Sequence, residues 1–368
     1  MGIGRIRAGA SPIAARVARW RARRGLTVRQ LARRSGIAAE RLAALEQGAD
    51  WLDRRRDLAA LAGALRVDAV ELTGRPYPPS GAEHAAVDAV AFHLRRELAE
   101  PGALPPAGRE RELARRTETA TAAARDGDEL LLARTLPGLI RLGAGAVALA
   151  PAGTRRQAAE LRLRGHLAAA GLLRRLGHRD LAWAVLHRAR GGAAGARAVL
   201  AEELQLLLDM ALPEQALARA AEGPGSAALL ALAALAEAAA GRPAEAERRL
   251  RRAAGRAGLP SERDALALTR VRVAAEAGSP AEVLALADAA ELPPAARAGV
   301  LTLAASAHAR LGEPAAAAAR LLAAERTAPL RTRLDPLARE LLAVLPARLT
   351  DPAQAAAVHR LASRAGTG

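Results

Sequence analysis

The chain has no cysteine and no lysine, and aromatic residues make up 1% of its 368 positions. Lack of cysteine removes thiol nucleophiles, disulfides and cysteine-ligated zinc together. Lack of lysine makes all 55 basic residues arginine, among abundant alanine, leucine and glycine. That is the composition a GC-rich genome imposes, so the formal net charge of +17 is not by itself a nucleic-acid signature. No uncharged stretch reaches membrane-spanning length, and the first twenty residues lack the apolar run of a signal peptide. The expectation is a soluble cytoplasmic protein, with no membrane partner and length enough for two or three domains without metal or disulfide staples.

Catalytic signatures are scarce too. The seven histidines, at 84, 93, 166, 178, 187, 308 and 359, include no pair four apart with the glutamate a zinc peptidase needs. His166, His178 and His187 fall on one expected helical hairpin, where structural histidines are the ordinary outcome. The run Gly143 to Ala148 mimics a dinucleotide loop, but no strand precedes it. Neither a nucleophile elbow nor a phosphate-binding loop occurs. The chain is therefore read as a non-enzyme with no cofactor and no metal.

What is present is uneven charge. Residues 1–75 hold 16 Arg against 7 Asp and Glu, a net +9, leaving +8 for the other 293 residues. Within that fifth of the chain, residues 26–48 read as two short helices joined by a tight turn. Thr27 caps the first, Leu31 and Ala32 form its inner face, and Gly36 turns the chain where a Cβ would obstruct. Ile37, Leu42 and Leu45 then recur at helical spacing. Such a unit presents its second helix to the DNA major groove. Around it the spacing predicts a first helix from Ser11-Pro12 to about Arg24, with Val17 and Trp20 inward. A fourth is capped by Asp53 and buries Leu58, Leu61, Ala62 and Leu65, and a fifth spans Val67 to Leu72.

Proline and glycine crowd residues 73–81 and mark a boundary. The expected division is a flexible basic arm at 1–10, a helix-turn-helix domain at 11–74, a linker at 75–82 that isolates it, and a helical repeat domain at 83–368. In the last, helices break every 12 to 20 residues with no strand signal. Aligned on its turns, the text repeats. Residues 301–329 place Leu301, Ala304, Ala305, His308, Gly312, Ala317, Leu321, Ala324 and Pro329 in one frame. Residues 166–189 and 230–253 repeat it, with weaker copies on Ala211 and Gly278. The turns at 177, 211, 241, 278 and 312 are 34, 30, 37 and 34 residues apart. Trp183 is read as core.

The N-terminal segment resembles the xenobiotic-response-element family of helix-turn-helix regulators, with their five-helix repressor/Cro-like fold. The resemblance runs from Val17 to Leu72 through Trp20-Arg21, Gly25-Leu26-Thr27, Gly36-Ile37 and Leu45-Glu46-Gln47-Gly48. The tail from Glu71 to Pro78 is similar to actinobacterial-type regulators in which such a domain precedes a long, tetratricopeptide-like repeat region. The resemblance implies binding to double-stranded DNA as a homodimer, and a C-terminal half that senses a peptide, small molecule or protein. The chain departs from the family at Val28, where glutamine is common, and in an alanine-rich recognition helix.

The fold class is thus all-α, a five-helix DNA-binding domain followed by an α-solenoid of tetratricopeptide-like hairpins. Glu40 and Arg41 are the expected base-reading side chains, with the methyls of Ala39 and Ala43 beside them. Arg24, Arg29, Arg33, Arg54, Arg55 and Arg56 are the expected phosphate contacts. The function expected is a sequence-specific transcriptional regulator. The alternative is an interaction scaffold with a degenerate helix-turn-helix.

Overall fold

The structure is a computed structural model and describes residues 11–99, 105–106, 108–189, 193–223 and 225–367. The arm expected at 1–10 lies outside the described residues. Among these residues are twenty-one α-helices, one 3-10 turn and no strand. Five short helices come first: α1 (Pro12–Arg23), α2 (Val28–Ser35), α3 (Ala39–Glu46), α4 (Arg55–Leu65) and α5 (Ala69–Thr73).

Local chemistry sets their ends. Ser11 caps α1, with Pro12 at the first helical position. Thr27 and Gln30 close a reciprocal capping box on α2, which stops at Gly36 in the left-handed region, φ 70°. Leu31, Ile37, Leu42, Leu45, Leu61 and Leu65 pack with Val17 and Leu72 into a common core. Trp20 is only half-buried and lies under Arg23 and Arg24, 5.1 and 5.8 Å away. Asp53 does not cap α4, and α5 starts two residues later than its spacing predicts.

The remaining helices build the solenoid. It starts with α6 (Ala82–Ala99), α7 (Glu110–Asp126) and α8 (Glu129–Leu149). Five hairpins follow: α9 (Ala152–Leu176) with α10 (Arg179–Ala189), α11 (Ala193–Asp209) with α12 (Pro213–Ala221), α13 (Ala227–Ala239) with α14 (Pro243–Ala254), α15 (Pro260–Ala277) with α16 (Pro280–Ala289), and α17 (Pro294–Arg310) with α18 (Pro314–Thr327). The chain ends in α19 (Pro329–Arg333), α20 (Pro336–Val344) and α21 (Pro352–Ala365).

Each of the five expected turns closes one of these hairpins with a positive φ, from 58° at Ala211 to 99° at Gly177. The framing residues are buried as short side chains at close crossings should be. Ala170, Ala182, Ala234, Ala246, Ala305 and Ala317 have no accessible surface. α8 is long and apolar enough by length and composition to cross a membrane, but Leu132, Leu136, Leu139 and Leu142 are spent on the largest core. Trp183 is not core: it is exposed on α10. The solenoid also closes on itself, since Arg331 of α19 donates to Glu129 of α8 and Gly127 lies against Ala295 and Ala328.

The five-helix unit is docked onto this solenoid, and two repeat-domain glutamates take up amides at its helix starts, Glu340 adding to the Ser11 cap of α1 and Glu276 capping α4, which has no side-chain cap of its own. Glu340 of α20, fully buried, accepts from Ser11 Oγ at 2.5 Å, Ile13 N at 2.8 Å and Leu52 N at 3.5 Å. Glu276 of α15 accepts from the backbone of Arg55 and Arg56 at 3.1 and 3.4 Å, capping α4. Between them Trp51 inserts into the α17–α21 core, 2% exposed, its indole donating to Ser306 at 3.0 Å. Arg310 stacks 3.9 Å from the Trp51 ring and donates to Asp53, which accounts for the lost Asp53 cap.

Residues 75–82, expected to isolate the first domain, are instead pinned. Arg75 is buried and donates to the Leu334 carbonyl, and Tyr77 is buried beneath Arg339, 3.8 Å away. The reason is that Tyr77 is a large apolar ring, and an adjacent helical groove offers it a core.

Two outcomes are expected. Ala317→Leu should overpack the α17–α18 crossing and cost about 1–3 kcal/mol in chemical denaturation. Burial pushes the Glu340 carboxyl up to about 7, against its three donors and the charge of Arg16. The folded chain then holds a proton that the unfolded chain releases, so stability should fall as pH rises from 4.5 to about 7. Thermal melting across that window should show the decline, and Glu340→Gln should flatten it. A profile unchanged by the substitution would mean that Glu340 is ionised throughout.

Candidate nucleic-acid interface

The seam uses the N-terminus of α1, the loop from Ala49 to Arg54 and the start of α4. α2 and the outer face of α3 lie elsewhere, and among the described residues no hydrogen bond or ion pair joins residues 27–47 to the solenoid. On α3, Leu42 and Leu45 face the core, Ala38, Glu40 and Gln47 are exposed, and Ala39, Ala43 and Ala44 are half-buried between them.

Arg41 does not belong to this face. Its Nη1 donates to Asp57 at 2.6 Å and its Nε to Asp50 at 3.2 Å, while Asp53 stands 3.9 Å from Nη2. Against burial, the charge and hydrogen bond of Asp57, then Asp50 and Asp53, raise its pKa. The physical reason is the triple carboxylate itself. Asp50 and Asp57 are mostly buried, and such charges need a cation with several donors. Arg41 is therefore a staple between α3 and α4, and its expected base-reading role is withdrawn.

Four of the six expected phosphate contacts are likewise diverted. Arg24 donates to the carbonyls of Leu65 and Arg66, both at 3.0 Å, and closes the C-terminus of α4. Arg55 pairs with Glu276 at 3.1 Å. Arg54 lies over the turn of Gly278, where a Cβ would collide with its guanidinium, and Arg56, though exposed, packs on the turn of Gly241. The arginine run at 54–56 is thus a docking element set on successive hairpin turns. Arg29 and Arg33 remain exposed on α2, with no hydrogen bond or ion pair among the described residues, and Arg34 joins them.

Glu40 thus stays exposed, as do Arg29 and Arg33, with Ala39 and Ala43 half-buried, while Gln47 and Arg34 are exposed additions. Gln47 was legible only as helix-ending text, since periodicity ends at Leu45. Arg34 differs from Arg33 by one position and shares its exposed helix end.

The histidines of the repeat domain bond separately: His166 to the Arg162 carbonyl at 2.8 Å, His178 to Asp88 at 3.0 Å. No group of three metal-ligating side chains converges among the described residues.

A family model described as a helix-turn-helix domain matches residues 12–89. The chain carries an N-terminal helix-turn-helix domain. The match spans α1 to α5, the pinned segment and the first part of α6, and it points to a DNA-binding regulator. No curated protein and no solved structure matches the chain.

Arg41→Ala should leave Asp57 without its cation and Asp50 with Arg310 alone, and cost about 1–3 kcal/mol of stability, partial exposure moderating the loss. Arg33→Ala should leave the melting curve unchanged. If Arg41→Ala melts like wild type, Arg41 is no staple and returns to the reading face.

Proposed function

We propose that the chain is a transcriptional regulator of the xenobiotic-response-element type, cytoplasmic and nucleoid-associated, that grips double-stranded DNA as a homodimer through α2 and α3. Its solenoid, in this reading of tetratricopeptide type, receives a peptide, small-molecule or protein effector. The observation that carries the proposal is the division of the helix-turn-helix unit. The start of α1, the 49–54 loop and the start of α4 are latched to the solenoid, while Arg29, Arg33, Glu40 and Gln47 stay exposed.

Arg29, Arg33 and Arg34 hold phosphates and fix register. Glu40 accepts from a cytosine amino group, Gln47 pairs with adenine, and the methyls of Ala39 and Ala43 pack on thymine. With two polar readers, most of the affinity comes from phosphate neutralisation and is strongly salt-dependent. The scaffold reading keeps one observation in its favour, the loss of Arg41 to the fold, which leaves α3 mostly alanine at its reading positions.

Binding titrations on selected and random duplexes at several salt concentrations test this. Arg33→Ala with Arg34→Ala should weaken every sequence alike and flatten the salt slope by about 0.9 for each phosphate left without its arginine. Gln47→Ala should cost about 1–3 kcal/mol on the selected duplex and little on random DNA. Wild type with no preference for any selected duplex would leave the scaffold reading in place of the regulator.

A further inference from the structure

A cavity of about 470 Å³ lies inside the solenoid and is roofed by the helix-turn-helix unit. Its wall comes from the first helices of successive hairpins, and its roof from residues 52–55, Leu58, Thr73 and Arg75. Nine arginines line it against four carboxylates. Those carboxylates are already engaged. Glu129 takes Arg175 in a two-point contact at 2.9 and 3.0 Å and also Arg331, Asp209 takes Arg174 at 2.7 Å, Asp53 takes Arg310, and Asp335 caps α20.

The surplus cations are Arg179 and Arg272 on the wall and Arg75 on the roof. Arg179, only 5% exposed, has no hydrogen-bond partner at Nε or Nη1, and its nearest carboxylate, Asp68, is 3.7 Å away. Arg75, 9% exposed, leaves Nε unpartnered. Arg272 makes no ion pair among the described residues. Burial and the like charges of Arg55 and Arg174 push it down to about 10. Burial and Arg175 push Arg331 down to about 9. Buried guanidiniums with so few partners are costly unless an anion answers them.

We infer that this cavity is the site of a compact polyanionic small molecule bearing two or more phosphate groups, held between Arg179 and Arg272 of the solenoid and Arg75 beneath the helix-turn-helix unit. The volume is that of a small-molecule site. Guanidinium forks match phosphate oxygens two at a time. An extended peptide fits the enclosure poorly, because α17 and α19 close against α7 and α8 and the helix-turn-helix unit covers the turn edge. Since Arg54, Arg55 and Arg75 lie on the roof and pinned segment, the ligand bridges the two parts of the chain. The inference rests on the effector-binding part of the proposal above and is independent of DNA binding.

Calorimetric titration of the full chain with inorganic pyrophosphate and with adenosine diphosphate, at fixed ionic strength, tests it. One-to-one binding is expected. Arg272→Met should weaken it about ten-fold or more. Arg33→Ala with Arg34→Ala, on the open face, should leave it unchanged. Arg272→Met removes an unmatched charge and should melt no lower than wild type. Arg179→Met provides the same test if Arg272→Met proves unfolded. The two probes distinguish sources: tighter adenosine diphosphate means a nucleotide, equal affinity means that phosphate alone is read. Absence of saturable heat with both probes, or equal binding in the cavity variants, overturns the assignment. Binding of hexaglutamate that Arg272→Met abolishes, with neither phosphate probe held, also overturns it while leaving an effector site standing.

Discussion

The arrangement depends on two buried carboxylates that cap helices at a distance. A helix start leaves backbone amides without partners, and Glu340 and Glu276 take up those of α1 and α4 from more than two hundred residues away in sequence. The start of α4 has no side-chain cap of its own, and that of α1 has Ser11, whose hydroxyl itself donates to Glu340. Trp51 fills the space between them and supplies the apolar surface that holds the two parts together. Separating the parts would expose two carboxylates, an indole and a set of orphan amides together. The helix-turn-helix unit is consequently a fixed feature of the solenoid's turn edge.

An all-arginine basic complement suits this design. Arg21 grips Glu46 with two donors at 2.6 Å each, Arg174 reaches Glu202, Asp209 and Gln205 at once, and Arg310 serves Asp53, the Trp51 carbonyl and the Trp51 ring together. A point charge on a flexible stem does not make three such contacts in one plane. Much of the positive charge is therefore structural. What remains outward on α2 is small in number and sharply located, and what remains inward faces the cavity.

Scarcity of aromatic residues has a packing counterpart. The hairpins cross where alanine meets alanine or leucine, which brings helix axes close and lets one short frame repeat with little variation. The few aromatics are then available for singular tasks. Trp51 and Tyr77 pin the first unit and the segment after it, while Trp183 and Phe92 are left exposed.

The sequence by itself determined the elements whose causes are local. Thr27 with Gln30 and Gly36 define α2 and its turn, Ser11-Pro12 starts α1, and glycines or Ala211 at near-constant spacing set the five hairpins, because caps and left-handed turns depend on neighbours a few residues away. It also placed Glu40, Arg29 and Arg33 on surfaces that stay open, since periodicity tells inward from outward on a short helix. Tertiary structure alone decided which arginines are free. Arg41 and Arg55 read as surface cations until Asp57 and Glu276 arrive from other helices, and Asp53 reads as a cap until Arg310 claims it. A charge finds its partner through folded distance rather than sequence distance, and an anion-lined or cation-lined cavity exists only once the solenoid has closed.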